Sequence, residues 1–292
     1  MSPRLILNSY AKLNLYLAVL GRRRDNYHNL NTVFERISLA DRIVLSPRRD
    51  DKIRIITASC DIPKDNTNLA FRAACLLKEV FGLDKGVDIK IHKRIPVGSG
   101  MGGGSSNAAS VLMGLNKLWR LNLNPEKLAG LARKIGSDVP FFVYNHPFAQ
   151  GLSRGDKIRP IRQLFKLRLW HILVIPKIKV STPLIYKKWD EHSGLTKPRQ
   201  DVKILLSALR KKDTSLVSSL LFNDLEQITS GLYPEVKQVK KTLSRSGLES
   251  TLMSGSGPAV FGFLASRKEA ATLCKQLKAK KRSWRVFVAH TI

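Results

Sequence analysis

Residues 93–119 read KRIPVGSGMGGGSSNAASVLMGLNKLW, and the fold follows from how this stretch behaves. Five of the seven positions from Gly98 to Gly104 are glycine. Glycine permits positive φ and lets main-chain N–H groups converge without a Cβ in the way. Beyond Ser106, apolar residues recur at Ala108, Val111, Leu112, Leu115, Leu118 and Trp119, the spacing of an amphipathic helix. Ser105 or Ser106 is expected to supply the N-cap oxygen. The glycine run would then end at a helix N-terminus, whose unpaired N–H groups and positive dipole end favour anions. The combination is a cradle suited to a triphosphate. No Gly-Lys-Ser/Thr closes the run, so it is not a Walker A loop. No acidic residue ends a following strand at the distance a dinucleotide fingerprint needs, and two serines open the helix.

Upstream, Leu13, Leu15, Leu17 and Val19 alternate with Lys12, Asn14 and Tyr16, which predicts a strand over 11–20 with two polar groups on one face. The turn Arg24-Asp25-Asn26 ends it. Further strand-like runs lie at 41–46, 52–57 and 87–92, and a helix is predicted over 67–80. A second helix is framed by Asn124-Pro125 and Gly136, with Leu128, Leu131, Ala132 and Ile135 inward. Past residue 160 the pattern gives strands at 168–175, 258–264 and 284–290, and helices near 202–211, 214–222, 234–246 and 267–280. Residues 191–201 read as a surface loop. Strands mixed with helices in both halves predict an α+β protein of two lobes, divided near 155–165.

The 292 residues carry 51 Lys plus Arg against 22 Asp plus Glu, a net charge of +29. Such a charge raises the question of nucleic acid. The excess is spread along the chain: 26 basic against 13 acidic residues up to position 160, and 25 against 9 after it. Arg22-Arg23-Arg24, Arg210-Lys211-Lys212 and Lys280-Lys281-Arg282 are the longest clusters, and runs this short read as solvated faces. A positive field also attracts phosphorylated small molecules. With no recognisable nucleic-acid module, nucleic acid is not the expected partner. Cys60, Cys75 and Cys274 are odd in number and lack C-x-x-C spacing, which fits a reducing compartment. The six histidines show no metal-ligand spacing. Asn8, Lys12 and Asn14 interrupt the apolar stretch Leu5–Leu20, so it does not read as a leader, and no window is apolar enough to span a membrane. A cytoplasmic protein is expected.

The motif Pro96-x-Gly98-x-Gly100-x-Gly102-Gly103-Gly104-Ser105-Ser106-x-Ala108-Ala109 resembles the phosphate-binding motif of the GHMP kinases, a family of small-molecule kinases. Its triple glycine and Asn116-Lys117-Leu118-Trp119 resemble the branch acting on a cytidine-diphosphate sugar alcohol of isoprenoid synthesis. Asn107 stands where many of its members have Asp. Ala11-Lys12-Leu13-Asn14-Leu15 resembles the family's first motif, continued by Gly21 to Leu30, in which Asn26 replaces a glycine. Gly136-Ser137-Asp138-Val139-Pro140-Phe141-Phe142, Ser181-Thr182-Pro183-Leu184-Ile185-Tyr186 and Met253-Ser254-Gly255-Ser256-Gly257 resemble three more. Read alone, Asp138 is a helix cap or turn residue, and Lys12 is as readily a snorkelling surface side chain.

The resemblance implies more. Asp138 would be the general base, with Lys12 beside it to stabilise the developing alkoxide. Pro96, Gly98, Gly100, Gly102, Gly103, Gly104, Ser105 and Ser106 would bind ATP, with Asn68 and Lys93 near its adenosine. Asn14, Tyr27, His28, Tyr186, Gly255 and Ser256 would bind the substrate, Tyr27 and Tyr186 stacking on opposite faces of a cytosine. Mg2+ is expected with ATP, and Ser106 is its motif-based ligand. The fold implied is two-lobed: an ATP-binding lobe like ribosomal protein S5 domain 2 over 1–160, and a ferredoxin-like lobe over 161–292. A monomer or weak dimer is expected. Gly151-Leu152-Ser153-Arg154-Gly155-Asp156 departs from the family's usual G-x-G-R-G-E at Ser153 and Asp156. A homoserine or mevalonate-pathway kinase would share the glycine loop but not account for Tyr27, His28 and Tyr186.

Overall fold

The computed structural model describes residues 4–192, 201–248 and 250–292. The first part of the chain runs β1 (Leu5–Arg22), β2 (His28–Pro47), β3 (Ile53–Ile56), α1 (Leu69–Phe81), β4 (Val87–His92) and α2 (Gly103–Leu118). It continues through α3 (Pro125–Ile135), α4 (Val139–Tyr144), β5 (Phe148–Ser153) and β6 (Lys157–Pro160). The second part holds β7 (Trp170–Ile175), α5 (Thr182–His192), α6 (Val202–Lys211), α7 (Thr214–Leu220) and β8 (Phe222–Asn223). It ends with α8 (Glu226–Leu232), α9 (Pro234–Arg245), β9 (Thr251–Met253), β10 (Val260–Leu264), α10 (Arg267–Lys280) and β11 (Arg285–His290).

Among the described residues these strands form two sheets. The larger has the path β3-β4-β2-β1-β8, with β5 branching from β2 and β6 pairing β5. The smaller is antiparallel, ordered β11-β7-β10-β9. This is the α+β architecture that the mixed pattern predicts. The short β8 crosses the expected boundary, pairing parallel to β1 through Tyr16 and Leu17.

Helix α2 lies against β1 and β2. Ala108, Val111, Leu112 and Leu115 are buried there, and Gly114 allows the close approach: a Cβ on it would stand 2.4 Å from Leu45 Cδ1 and 2.7 Å from Leu7 Cδ1. Helix α1 starts where the Asn68 side chain accepts from the Ala70 N–H at 2.9 Å, and stops at Gly82, which is left-handed at φ 57. A second core joins the two lobes, bringing Ala11, Leu13 and Leu15 of β1 against Leu173, Phe261 and Ala289. A buried polar tie runs through it. Glu35 on β2 accepts from His171 of β7 at 2.8 Å and from Thr291 at 2.5 Å, and neither Glu35 nor His171 reaches solvent. Leaving a buried polar group there without its hydrogen-bond partner costs roughly 1–3 kcal/mol.

The structure departs from several expectations. β1 and β2 are much longer than the runs predicted at 11–20 and 41–46. Every residue from Ala11 to Val19 is buried, so polar–apolar alternation there marks the site rather than a wet face. In β2 the buried polar side chains of Glu35 and Asp41 interrupt the apolar pattern. Residues 182–192 form helix α5, which takes up the first two positions of the predicted loop over 191–201; positions 193–200 of that loop lie outside the described residues.

Candidate active site

Between the glycine run, β1 and the loop after β9 is a cavity of about 530 Å³, a size typical of small-molecule sites. Gly98, Gly100 and Gly102 hold φ of 66, 76 and 67°, a left-handed region costly for other residues. Space is as tight as backbone angle: a Cβ on Gly100 would lie 2.1 Å from the Ser254 carbonyl oxygen. The loop is fastened on both sides. The Lys12 N–H donates to Met101 O at 3.1 Å, the Ala259 N–H to Ser99 O at 3.2 Å, and Ser254 Oγ to Gly100 O at 3.2 Å. Gly255 and Ser256 thereby line the same cavity.

Helix α2 begins at Gly103 with Gly102 as its N-cap and no capping side chain. This corrects the expectation that Ser105 or Ser106 caps the helix. Both serines sit in its first turn, leaving the leading N–H groups uncapped beside the cavity. Ser106 is buried, and its Oγ accepts from Ser9 Oγ at 2.8 Å; of the two serines, Ser105 lines the cavity.

Behind the loop, Asp41 is 1% exposed. Its carboxylate accepts from the N–H groups of Arg94 and Ile95 at 2.7 and 2.9 Å, from Asn107 Nδ2 at 2.9 Å, and from the Lys93 ammonium. Asn107, which stands where many family members carry Asp, therefore donates to a carboxylate it would otherwise repel. Burial pushes the Lys93 ammonium below its ordinary value, and Asp41 opposes that shift. Lys93 Nζ is 2.8 Å from where a Cβ on Gly103 would stand. Pro96 accepts from Ser99 Oγ at 2.7 Å, and Asn68 both caps α1 and donates to Pro63 O at 2.7 Å; all four line the cavity.

Lys12 and Asn14, two apart on β1, face the cavity together. Lys12 is 4% exposed, its Nζ donating to Asn14 Oδ1 at 2.5 Å and standing 3.5 Å from Asp138 Oδ2. Asn14 is oriented in turn by Thr32, to which its Nδ2 donates at 2.8 Å. Asp138 occupies the N-cap position of α4 but makes no capping hydrogen bond. Its carboxylate is left partly open to solvent, with a side chain 29% exposed. A carboxylate beside a buried ammonium, lining the same cavity as a phosphate cradle, can accept a proton from an alcohol held there.

A second hollow, of about 570 Å³, shares Leu30, Ser137, Thr182 and Tyr186 with the first and extends to Arg22, Tyr27, His28, Arg154 and Asp190. Tyr27 is 52% exposed, with the Arg154 guanidinium 4.9 Å from its ring centre. His28 is buried, its ring stacked on Tyr186 at 4.8 Å. Burial raises the Tyr186 hydroxyl above its ordinary value, and the charges of Asp138 and Asp224 add to this. Thr182 and Ser256 share a hydrogen bond of 2.7 Å where the two hollows meet.

The two departures at the end of β5 take defined places. Ser153 is left-handed at φ 63, as Asn26 is, and its Oγ accepts from Arg23 Nη1 at 3.1 Å. Asp156 is buried and pairs with Arg154 at 2.9 Å. Thr32, Asp41 and Asp190 were not reached from the sequence, since none belongs to a short motif; Arg154 lies within the Gly151–Asp156 motif but received no role there. For Asp190 a signal existed: Ser181-Thr182-Pro183 is a helix start, and a helix there puts residues 186, 189 and 190 on one face.

No group of three or more His, Cys, Asp or Glu side chains that could hold a metal occurs among the described residues, and no described helix is long and apolar enough to cross a membrane.

Residues 68–146 match the model of the GHMP kinases N terminal domain, and residues 205–282 that of the GHMP kinases C terminal domain. A 4-diphosphocytidyl-2-C-methyl-D-erythritol kinase of Geobacillus sp. (strain WCH70) is 45% identical over 263 residues, which cover 89% of this chain and 88% of the relative. A crystal structure of a 4-(cytidine 5'-diphospho)-2C-methyl-D-erythritol kinase superposes with a TM-score of 0.80 at 34% identity, covering 98% of both chains. A homoserine kinase from Cytophaga hutchinsonii, 19% identical, superposes at 0.70 over 100% of this chain and 95% of its own; it shares the fold.

Proposed function

This chain belongs to the GHMP kinases, in the family of its 4-diphosphocytidyl-2-C-methyl-D-erythritol kinase relatives, and on that premise we propose how its site carries out the reaction. The chain is an ATP-dependent small-molecule kinase. It transfers the γ-phosphoryl group of ATP to the 2-hydroxyl of 4-diphosphocytidyl-2-C-methyl-D-erythritol, giving the 2-phosphate and ADP. The product belongs to the methylerythritol phosphate route to isoprenoid precursors.

One observation carries the mechanism: the Lys12–Asp138 pair, 3.5 Å apart, faces the same cavity as the glycine run. The triphosphate lies along Gly98–Gly104, held by main-chain N–H groups and the open start of α2. Asp138 accepts the proton of the 2-hydroxyl. The oxygen attacks the γ-phosphorus as the bond to the β–γ bridging oxygen breaks, and ADP leaves with that electron pair. Lys12 stabilises charge on the attacking oxygen, and Asn14 and Thr32 hold Lys12 in line. Phosphoryl transfer asks for little beyond such alignment and neutralisation. Mg2+ is held largely by nucleotide phosphates and water, so the Ser105 hydroxyl lining the cavity is a fitting side-chain donor for it and Asp138 stays free to act as the base. Bound there, it would neutralise phosphate charge.

The second hollow supports the choice of substrate. Stacked aromatic rings at Tyr186 and His28 and an open Tyr27 suit a planar base. A coupled ADP-release assay tests the reading. Turnover is expected with 4-diphosphocytidyl-2-C-methyl-D-erythritol, and none above background with homoserine or mevalonate. Turnover of either of the other alcohols in preference would overturn the substrate while leaving the chemistry.

A further inference from the structure

The face of the larger sheet turned away from α1 and α2 carries a hollow of about 580 Å³ that the reaction does not use. Strand register builds it. Asn8 of β1 stands opposite Arg42 of β2, and Arg42 opposite His92 of β4, so three polar side chains form one row across three strands. Tyr10, two residues on from Asn8, and Arg94, two on from His92, line the hollow as well, and so does His290 of β11. Arg42, His92 and Arg94 are exposed, and among the described residues none of these three side chains has a carboxylate partner. Asp88, on the same face of β4, is taken by Arg48 at 2.8 Å and by Arg54 at 3.0 Å. Asp41 lines the hollow too, but its carboxylate is already spent on two N–H groups, Asn107 and Lys93. Behind His290, the Arg168 guanidinium lies 3.0 Å from its Nε2 and packs over the Trp170 ring. Guanidinium groups without a counter-charge, in a concave site, form a donor set that suits phosphate oxygens.

This hollow and the nucleotide cavity share one stretch of backbone. His92 and Arg94 line the hollow, while Lys93 between them lines the cavity. The Asp41 carboxylate joins the two sides, accepting from the Arg94 N–H and from the Lys93 ammonium. We propose that the hollow is an effector site for a small molecule bearing a diphosphate group, whose binding weakens that of ATP. Arg42 and Arg94, on separate segments, each hold one phosphoryl group, and His92 is a further donor. The bound charge sits across Asp41 from Lys93 and lowers the positive potential that the glycine run offers to ATP. By linkage, ATP weakens the effector by the same factor.

Binding measurements on the full chain test this, with inorganic pyrophosphate as the probe and Mg2+ in excess. With the nucleotide cavity saturated by a non-hydrolysable ATP analogue, calorimetry should still find pyrophosphate bound at one site. The His92 ring signals should shift in NMR on its addition, while those of the buried His171 stay in place. Arg42→Ala should weaken that binding about ten-fold or more, the loss expected of one charge-assisted hydrogen bond. Arg42→Lys keeps the charge and should lose less than Arg42→Ala. No second site, a second site that Arg42→Ala leaves intact, or an unmoved His92 ring overturns the proposal. So does a single-stranded oligonucleotide that displaces pyrophosphate and binds more tightly at the same salt, since the face would then be a nucleic-acid surface. The coupling has its own readout. Pyrophosphate also competes directly for the glycine run, in the wild type and in Arg42→Ala alike. On its addition the wild type should lose about five-fold more affinity for the analogue than Arg42→Ala does, the low end of usual coupling between sites. Equal losses in the two proteins overturn the proposal as well. No arm of the test uses the alcohol substrate, so its outcome is independent of which alcohol is phosphorylated.

Discussion

The two ends of the site are built on opposite principles. The phosphate end is made of backbone contiguous in sequence: Gly98–Gly104 and the first turn of α2. The base end is made of side chains gathered from β2, the loop after β5, and α5. A triphosphate offers the same oxygens in every nucleotide, so N–H groups and a helix terminus suffice. A base must be told from other bases, which takes directed side-chain donors and acceptors. The two ends should therefore fail differently. Damage at the first should affect any phosphoryl transfer, and damage at the second should affect the choice and affinity of one substrate.

The largest effect is expected where the ends meet. Asp138→Asn keeps the shape and removes the proton acceptor, so kcat should fall by roughly 10²–10⁴-fold, the usual contribution of a positioned base. ATP binding followed by calorimetry should change only a few-fold. A kcat near wild type would remove Asp138 from the base role and return it to the helix-start role its position alone suggests. At the phosphate end, Gly100→Ala sets a Cβ 2.1 Å from the Ser254 oxygen at a φ of 76°. Strain of that kind is worth about 1–3 kcal/mol, so KM for ATP should rise about ten- to a hundred-fold. KM for the cytidine substrate should move less. Equal loss of both would mean that the glycine run and the loop at Gly255 deform as one body and that the ends are not separable.

Tyr186→Ala is the matching cut at the base end. Stacking on an aromatic ring is worth about 1–3 kcal/mol per base, which would appear as a rise in KM for the cytidine substrate with KM for ATP close to wild type. Tyr186 also holds the His28 ring, so its loss should exceed that of Tyr27→Ala, whose ring is half exposed and backed by Arg154. A larger loss from Tyr27→Ala would reverse the order of importance within the pocket.

The same contrast decides what could be read from sequence. The glycine run, the helix behind it and the strand carrying Lys12 and Asn14 announce themselves, because each is a local pattern of permissive backbone or fixed period. Asp190 and Thr32 carry no such pattern; each matters through a partner 162 residues away or on a neighbouring strand, as in His28–Asp190 and Asn14–Thr32. Asp41 is hidden by the same logic. It lies in a strand whose buried carboxylates break the apolar rhythm, and its purpose shows only once Lys93, Arg94, Ile95 and Asn107 surround it. The serines after the glycine run mislead for a local reason. Ser is a good cap, but Gly102 at φ 67 starts the helix three residues earlier.

Ser153 offers the smallest test and the finest one. The family's usual residue there is glycine, and the position is left-handed at φ 63, which costs an ordinary residue roughly 1–2 kcal/mol. Ser153→Gly relieves that cost. Against it stand about 0.5–1 kcal/mol of added chain entropy on unfolding and the hydrogen bond from Arg23, worth about 0.5–1.5 kcal/mol. The contributions nearly cancel, so denaturant unfolding should show a change within about 1 kcal/mol of zero. Turnover should not change at all if Ser153 serves only the turn. Arg23 and Arg154 flank that turn, however, and Arg154 backs the Tyr27 ring. A shift in KM for the cytidine substrate with stability unchanged would show that the serine holds Arg23 so as to shape the base end, and the boundary of that end would extend to the tip of β5.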